Sequence, residues 1–176
     1  MENIEVSFIT INYNSSNYTK SLVSSILLNT NDVSYEIIII DNASEEKDFE
    51  NLNTDFFSGE NIKIIRSPIN LGFAGGNMLG VSAAKGRYYF FINNDCEILN
   101  DTASIFKEFL ITHPTAALVT GSVLDKENRF SSSYKQFPHV AKQLFGNSIQ
   151  RIFSKRKFPS NKVKLEHPAK VEVVSG

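Results

Sequence analysis

Only one cysteine, Cys96, occurs in the 176 residues, so no internal disulfide framework can form, and a reducing cytoplasm suits the chain. With no second thiol or nearby histidine at metal-ligand spacing, Cys96 reads as a small apolar packing residue. No apolar run approaches the ~20 residues that cross a bilayer. Met1-Glu-Asn-Ile-Glu-Val6 lacks the basic and apolar regions of a signal peptide. There is no internal repeat, no low-complexity tract and no Gly-x-Gly-x-x-Gly, so a dinucleotide fingerprint is absent. The three histidines, His113, His139 and His167, are scattered and pair with no nucleophile, which makes them surface residues. What is present is 41% hydrophobic and 21% charged sequence, enough for one globular domain with a real core. The net charge of −1 conceals an asymmetry. Residues 1–124 carry 7 Lys/Arg against 15 Asp/Glu, a net −8, whereas 125–176 carry 11 against 4, a net +7.

Residues 6–12 form a short β-branched strand that runs into a polar turn with N-cap candidates Ser16 and Asn17. Leu22, Val23, Ile26 and Leu27 then recur at helical spacing. Residues 35–40 are almost continuously apolar, as a central parallel strand buried on both faces would be, and they end on Asp41. A polar stretch of weak helical character leads to a third strand, 62–66. The glycine-rich turn Asn70-Leu-Gly-Phe-Ala-Gly-Gly-Asn77 opens a helix through about Ala84. Residues 88–92 are aromatic and β-branched, a strand that stops on Asn93-Asn-Asp95. Asp101 caps a further helix carrying Ile105, Phe106, Phe109 and Leu110, which stops before Pro114, and 116–123 read as a fifth strand. Strands alternating with helices at these distances predict an α/β fold with a mostly parallel, doubly wound sheet.

Three strands end on or beside Asn12, Asp41 and Asn93/Asp95. Carboxyl ends of parallel strands share one edge, so these groups are expected to converge on one crevice, where open α/β sheets bind ligands. For Asp41 alone, a turn role and a ligand role stand even, because Asp and Asn form Asx-turns routinely. For Asp95 the ligand role leads, since a helix cap is already available at Asp101. A carboxylate there is a hard oxygen ligand for a divalent ion holding a diphosphate. The glycine turn has two readings. Either it lets a helix pack close to the sheet, or its bare backbone and helix N-terminus face a phosphate or sugar.

In order along the chain, these segments resemble the glycosyltransferase family 2 type of nucleotide-sugar transferase with a GT-A fold. Val6-Ser-Phe-Ile-Thr-Ile-Asn-Tyr-Asn14 looks like the opening strand, with Leu22 and Ser25 where the family's helix has a leucine and a serine. Ile39-Ile-Asp-Asn-Ala-Ser44 looks like the second-strand motif. Asn70–Asn77 is similar to a signature of the rhamnosyltransferase-like branch, and Phe91-Ile-Asn-Asn-Asp95 takes the place of the Asp-x-Asp motif. The resemblance covers 6 to about 125. It implies a Rossmann-like GT-A sheet flanked by helices and incomplete at the C-terminus, with 1–124 as the nucleotide-sugar-binding half. Residues 125–176 would then be a basic segment starting the acceptor-binding half. It further implies that Thr10, Asn12 and Asn14 edge the nucleotide pocket and that Asp41 contacts base or ribose. Gly72, Phe73, Gly76 and Asn77 would lie along nucleotide and sugar, beside Asn93 and Asn94, and Asp95 would bind Mg²⁺ or Mn²⁺. Asn93 replaces the first acid of Asp-x-Asp and removes one charge. The family's catalytic base follows a stretch that begins like Val173-Val-Ser-Gly176, so it is expected beyond Gly176, in a truncated chain.

The implied activity is metal-assisted, inverting transfer of a sugar from UDP or dTDP to an acceptor hydroxyl, saccharide or lipid-linked, in cell-surface polysaccharide synthesis. Two rivals stand beside it. A sugar nucleotidyltransferase would want a glycine-rich, basic first βα turn, which Tyr13-Asn-Ser-Ser-Asn17 is not; a non-catalytic nucleotide-sugar-binding module needs only the donor half. Residues 140–153 place apolar side chains on one helical stripe, followed by Lys155-Arg-Lys-Phe158. Packing within the protein is favoured for this helix over peripheral contact with an anionic membrane at the inner face. No nucleic-acid recognition module accompanies the basic charge.

Overall fold

The two apolar runs that open the chain become the two central strands of a parallel sheet. A computed structural model of the chain describes residues 3–54, 59, 61–131, 133–135, 167–171 and 173–174. Within them the order is β1 (Val6–Asn12), α1 (Ser16–Asn29), β2 (Tyr35–Asp41), α2 (Glu46–Leu52), β3 (Ile62–Arg66), α3 (Gly72–Ala83), β4 (Tyr88–Phe91) and α4 (Thr102–Thr112). The sheet runs β3-β2-β1-β4, every pair parallel. The reversal of order between β1 and β4 follows from chirality. Right-handed crossovers place helices on one face while the chain winds outward and on the other after it returns.

Alternation along β1 and β2 divides the core in two. Phe8, Ile37 and Ile39 turn toward Leu22, Val23 and Ile26 of α1 and Leu52 of α2, and all are fully buried. Phe90 joins this layer, stacking on Phe106 of α4 with centroids 5.5 Å apart. Each such side chain contributes about 1.5–3 kcal/mol by leaving water. Ile9, Ile11 and Ile40 project to the opposite face, where α3 lies unusually close. A Cβ on Gly76 would sit 2.8 Å from Ile11 Cδ1, and one on Gly80 would overlap Ile9 Cγ2. These two glycines therefore serve helix–sheet contact, the first of the two readings given above for the glycine turn. Asp101 caps α4 as expected, its Oδ1 accepting from the Ser104 N–H at 3.1 Å.

The chain divides into two units, Met1–Pro114 and Thr115–Gly176. The second contains two short antiparallel pairs, β5 (Val123–Leu124) with β6 (Phe130–Ser131) and β7 (Tyr134–Lys135) with β8 (Val173–Val174). The fifth strand expected over 116–123 is not formed: 116–122 have no strand structure, and only Val123 enters β5. Thr120-Gly121-Ser122 interrupts the run, and Leu118 is exposed, so the run buries too little to order itself. The stripe at 140–153 and the basic run after it lie outside the described residues.

Candidate functional site

Parallel pairing sets the last residues of the central strands side by side, with Asn12 opposite Asp41 and Asp41 opposite Arg66. β4 runs the same way beside β1, and the Ile92 N–H donates to the Ile9 carbonyl at 3.1 Å, so the chain leaving β4 reaches the same rim. Asn12 is the hub of that rim. Its Nδ2 donates toward Asp41 Oδ1 at 3.1 Å, Ser44 Oγ at 3.1 Å and Asp48 Oδ2 at 2.9 Å, so two hydrogens are shared among three acceptors. Its Oδ1 accepts from Thr19 Oγ at 2.9 Å. The Thr19 oxygen in turn accepts from Asn94 Nδ2 at 3.0 Å, and Asn94 Nδ2 also donates to Ser15 Oγ at 2.7 Å. One continuous chain of hydrogen bonds thus links the ends of β1 and β2, the start of α1 and the turn after β4.

Asp41 is completely enclosed. Its oxygens take the Asn12 amide, the Ser44 N–H at 3.4 Å and the Arg66 guanidinium at 3.5 Å. Expected to touch a base or ribose, it instead stands one layer behind the surface, because a carboxylate buried this deeply needs every available donor. Arg66 covers it from outside, stacked on the Phe49 ring at 4.1 Å and paired with Glu46 at 2.8 Å. Beside Arg66 lies a shallow depression of about 530 Å³ lined by Ala43, Ser44, Arg66, Ser67 and Pro68. Ala43 has φ +62°, a left-handed backbone that disfavours a side chain. The backbone at this rim is therefore held by its neighbours.

Asp48 went unnoticed in the sequence, yet it holds the rim together. Its Oδ1 accepts from the Ser16 N–H at 3.0 Å and Ser16 Oγ at 2.6 Å, while Oδ2 takes Asn12. A carboxylate from α2 thus caps the positive N-terminus of α1, where Ser15 makes no side-chain cap of its own. Burial pushes its pKa up, but the hydrogen bonds from Ser16 and Asn12 side chains and from the Ser16 and Ser15 amides outweigh it and hold the carboxyl below its ordinary value. No local motif announces this residue. Its partners lie 32 and 36 positions away.

Asn42 organises the glycine turn: Oδ1 accepts the Leu71 N–H at 2.9 Å, and Nδ2 donates to Asn70 Oδ1 at 2.9 Å. Gly72 follows with φ +67°, which favours glycine. Phe73 is 70% exposed, and Asn77 is half-buried with its amide on the Phe73 carbonyl. Of the other residues singled out from sequence, Thr10 is buried at 1% exposure and Gly76 is buried within α3, against Ile11 of the sheet. Asn14 is exposed with φ +50°, its Oδ1 accepting the Glu45 N–H at 2.8 Å. Both amide hydrogens of Asn94 are engaged by α1, so it anchors its turn.

Asp95 occupies the tip of a tight turn closed by the Cys96 N–H on the Asn93 carbonyl at 3.1 Å. It is exposed and forms no ion pair among the described residues. Burial and the neighbouring Asp95 charge push the Cys96 thiol up, which keeps it protonated and unreactive. Among the described residues no group of three or more His, Cys, Asp or Glu forms. The donor set nevertheless fits a hard divalent ion, because Mg²⁺ is commonly held by one or two carboxylates while diphosphate and water complete its shell.

A parallel α/β sheet with polar groups gathered at its carboxyl edge belongs to the open α/β class, whose members bind their ligands at that edge. The model of glycosyl transferase family 2 matches residues 7–169, and the chain belongs to that family. An uncharacterized glycosyltransferase of Haemophilus influenzae is 31% identical over 96 residues, which is 54% of this chain and 38% of the relative. Among solved structures, S. aureus TarS 1–349 in complex with UDP superposes with a TM-score of 0.55 at 20% identity over 70% of this chain and 40% of TarS. The same protein in complex with UDP-GlcNAc gives 0.55 at 19% identity over 70% and 39%. These likenesses confirm the GT-A fold. The chain spans about two fifths of the length of the relatives it matches. Among the described residues no helix is long and apolar enough to cross a membrane.

Proposed function

We propose that this chain carries the donor-binding side of a metal-assisted, inverting glycosyltransferase acting on a UDP- or dTDP-sugar. The observation that carries this is the continuous hydrogen-bonded rim running from Asp41 through Asn12 and Thr19 to Asn94, with the exposed Asp95 carboxylate at its outer end. The nucleoside lies over the Arg66–Ser44–Ser67 depression and Asn14, with Asp41 behind it fixing Arg66. Gly72, Phe73 and Asn77 run along the diphosphate and sugar. Asp95, with Asn93 beside it, holds Mg²⁺ or Mn²⁺, which supplies positive charge to the leaving diphosphate. In the reaction the bond between the sugar's anomeric carbon and the β-phosphate oxygen breaks as the acceptor oxygen attacks from the opposite face. The acceptor proton passes to an acidic base of the enzyme. Transfer to a saccharide or lipid-linked hydroxyl in cell-surface polysaccharide synthesis is the setting that family membership favours.

Calorimetric titration with UDP, dTDP and GDP, with and without Mn²⁺, tests this reading. One diphosphate is expected to bind in a Mn²⁺-dependent manner, and Asp95→Ala should weaken that binding by about a hundredfold. Binding of nucleoside triphosphates alone would overturn the assignment in favour of a sugar nucleotidyltransferase.

A further inference from the structure

The turn that presents Asp95 is fastened on both sides to a single helix. One residue before Asp95, Asn94 Nδ2 donates to Ser15 Oγ at 2.7 Å and Thr19 Oγ at 3.0 Å, at the start of α1. Three residues after it, the Ile98 backbone is held at the far end of the same helix. Its N–H donates to Ser25 Oγ at 2.9 Å, and its carbonyl accepts from Asn29 Nδ2 at 2.8 Å. Ser25 and Asn29 are four residues apart and so share a helix face. The Ser25 hydroxyl donates to the Leu22 carbonyl at 2.7 Å, which orients its lone pairs toward Ile98. The Ile98 side chain is buried in the core, so this clamp has a fixed base.

We propose that Ser25 and Asn29 are positioning residues that, with Asn94, fix the Asp95 carboxylate for a divalent cation. The inference rests on the metal-bound diphosphate reading above. With Asn93 in place of an acid, Asp95 is the one carboxylate within the Asn93–Cys96 turn, so charge alone gives weak attraction. A turn already ordered loses less freedom when the ion binds, and the affinity gained is a matter of preorganisation. Helix propensity does not call for a serine at this position, since alanine is the better helix former. The clamp gives the serine its role, as the acceptor for a backbone N–H that would otherwise be left unpaired.

The test uses the full chain and whichever of UDP or dTDP binds more tightly. The ratio of dissociation constants without and with Mn²⁺ measures the metal coupling. Ser25→Ala and Asn29→Ala should each lower this ratio roughly tenfold while leaving metal-free affinity nearly unchanged, with the melting temperature down by a few degrees from the unpaired Ile98 backbone group. Ser25→Thr, which keeps the hydroxyl, should restore it. In metal-free protein, amide hydrogen exchange at Ile98 should accelerate in Ser25→Ala and remain slow in Ser25→Thr. Unchanged coupling in both alanine variants, against a wild type whose coupling Asp95→Ala abolishes, would overturn the proposal. An equal loss of metal-free affinity would do the same, since it would make the role purely structural. A wild type with no Mn²⁺ coupling would overturn the metal reading itself, and the proposal with it.

Discussion

β2 carries a buried acid near each end, Glu36 at the amino rim of the sheet and Asp41 at the carboxyl rim, and their surroundings differ in kind. Glu36 Oε1 accepts from Ser7 Oγ at 2.7 Å and from the Lys85 N–H at 2.6 Å, while Ser7 Oγ accepts the Gly86 N–H at 2.8 Å. That cluster closes on itself and joins α3 to β4. Asp41 is buried as deeply, but its partners lead outward through Asn12, Thr19 and Asn94 to a turn whose tip is open to solvent. Burial of a charge therefore does not distinguish scaffold from site. What distinguishes them is where the hydrogen-bonded chain ends.

The closed rim predicts the largest effect on stability. A Cβ on Gly86 would lie 2.6 Å from the Ser7 nitrogen and 2.8 Å from the Val6 carbonyl carbon, which are backbone atoms that cannot swing aside. Gly86→Ala should therefore destabilise by about 3 kcal/mol, near the top of the overpacking range, and lower the melting temperature by roughly 10 °C. Diphosphate affinity of the folded protein, measured below the transition, should not change. A weakened affinity at intact stability would break the comparison by showing that the two rims communicate.

The open rim predicts a smaller, pH-dependent effect at Asp48. Its pKa is depressed in the folded state, so its ionised form stabilises the fold fully above the ordinary aspartate value of 3.8. That contribution fades as pH falls through the lower folded value. Asp48→Asn should cost about 1–2 kcal/mol at pH 7, through loss of a charged cap and its hydrogen bonds. It should cost progressively less as acidity rises, so that urea melts of the two proteins converge below pH 3.8. A gap that stays constant from pH 7 to pH 3 would mean that shape, not charge, joins α1 to α2.

Much of this was legible because local chemistry and global fold agree. Apolar runs that stop on Asn12 and Asp41 can only be strands ending in polar ground, and parallel pairing then brings those ends together. The cap at Asp101 is a contact between residues three positions apart, within reach of any reading by pattern. Asp48 and Asn29 were silent for the converse reason, and Asn42 and Ser25 stood out only as places in a family pattern, with no role attached. Ser25 and Asn29 meet Ile98 across 73 and 69 positions, and a polar residue on a helix looks the same whether it meets water or a distant backbone. The segment 116–123 was misread because apolar character reports burial potential and carries no information about a pairing partner. Asp41 was placed correctly on the rim, but depth below the surface has no signature in sequence.

Thr10 offers the finest test of the comparison, because it lies on β1 between the two rims and belongs to neither network. It is buried, and its hydroxyl has no hydrogen-bond partner among the described residues. It shares the face of Phe8 and Asn12, beneath the hub. An unpaired buried hydroxyl is a net loss to the fold, so Thr10→Val should stabilise by about 1 kcal/mol in thermal or urea melts. If function resides only where the chain of hydrogen bonds meets solvent, diphosphate affinity should be the same in both proteins. A tighter fold that binds diphosphate more weakly would assign the hydroxyl to the ligand, and the boundary of the site would then move one layer inward, from Asn12 to Thr10.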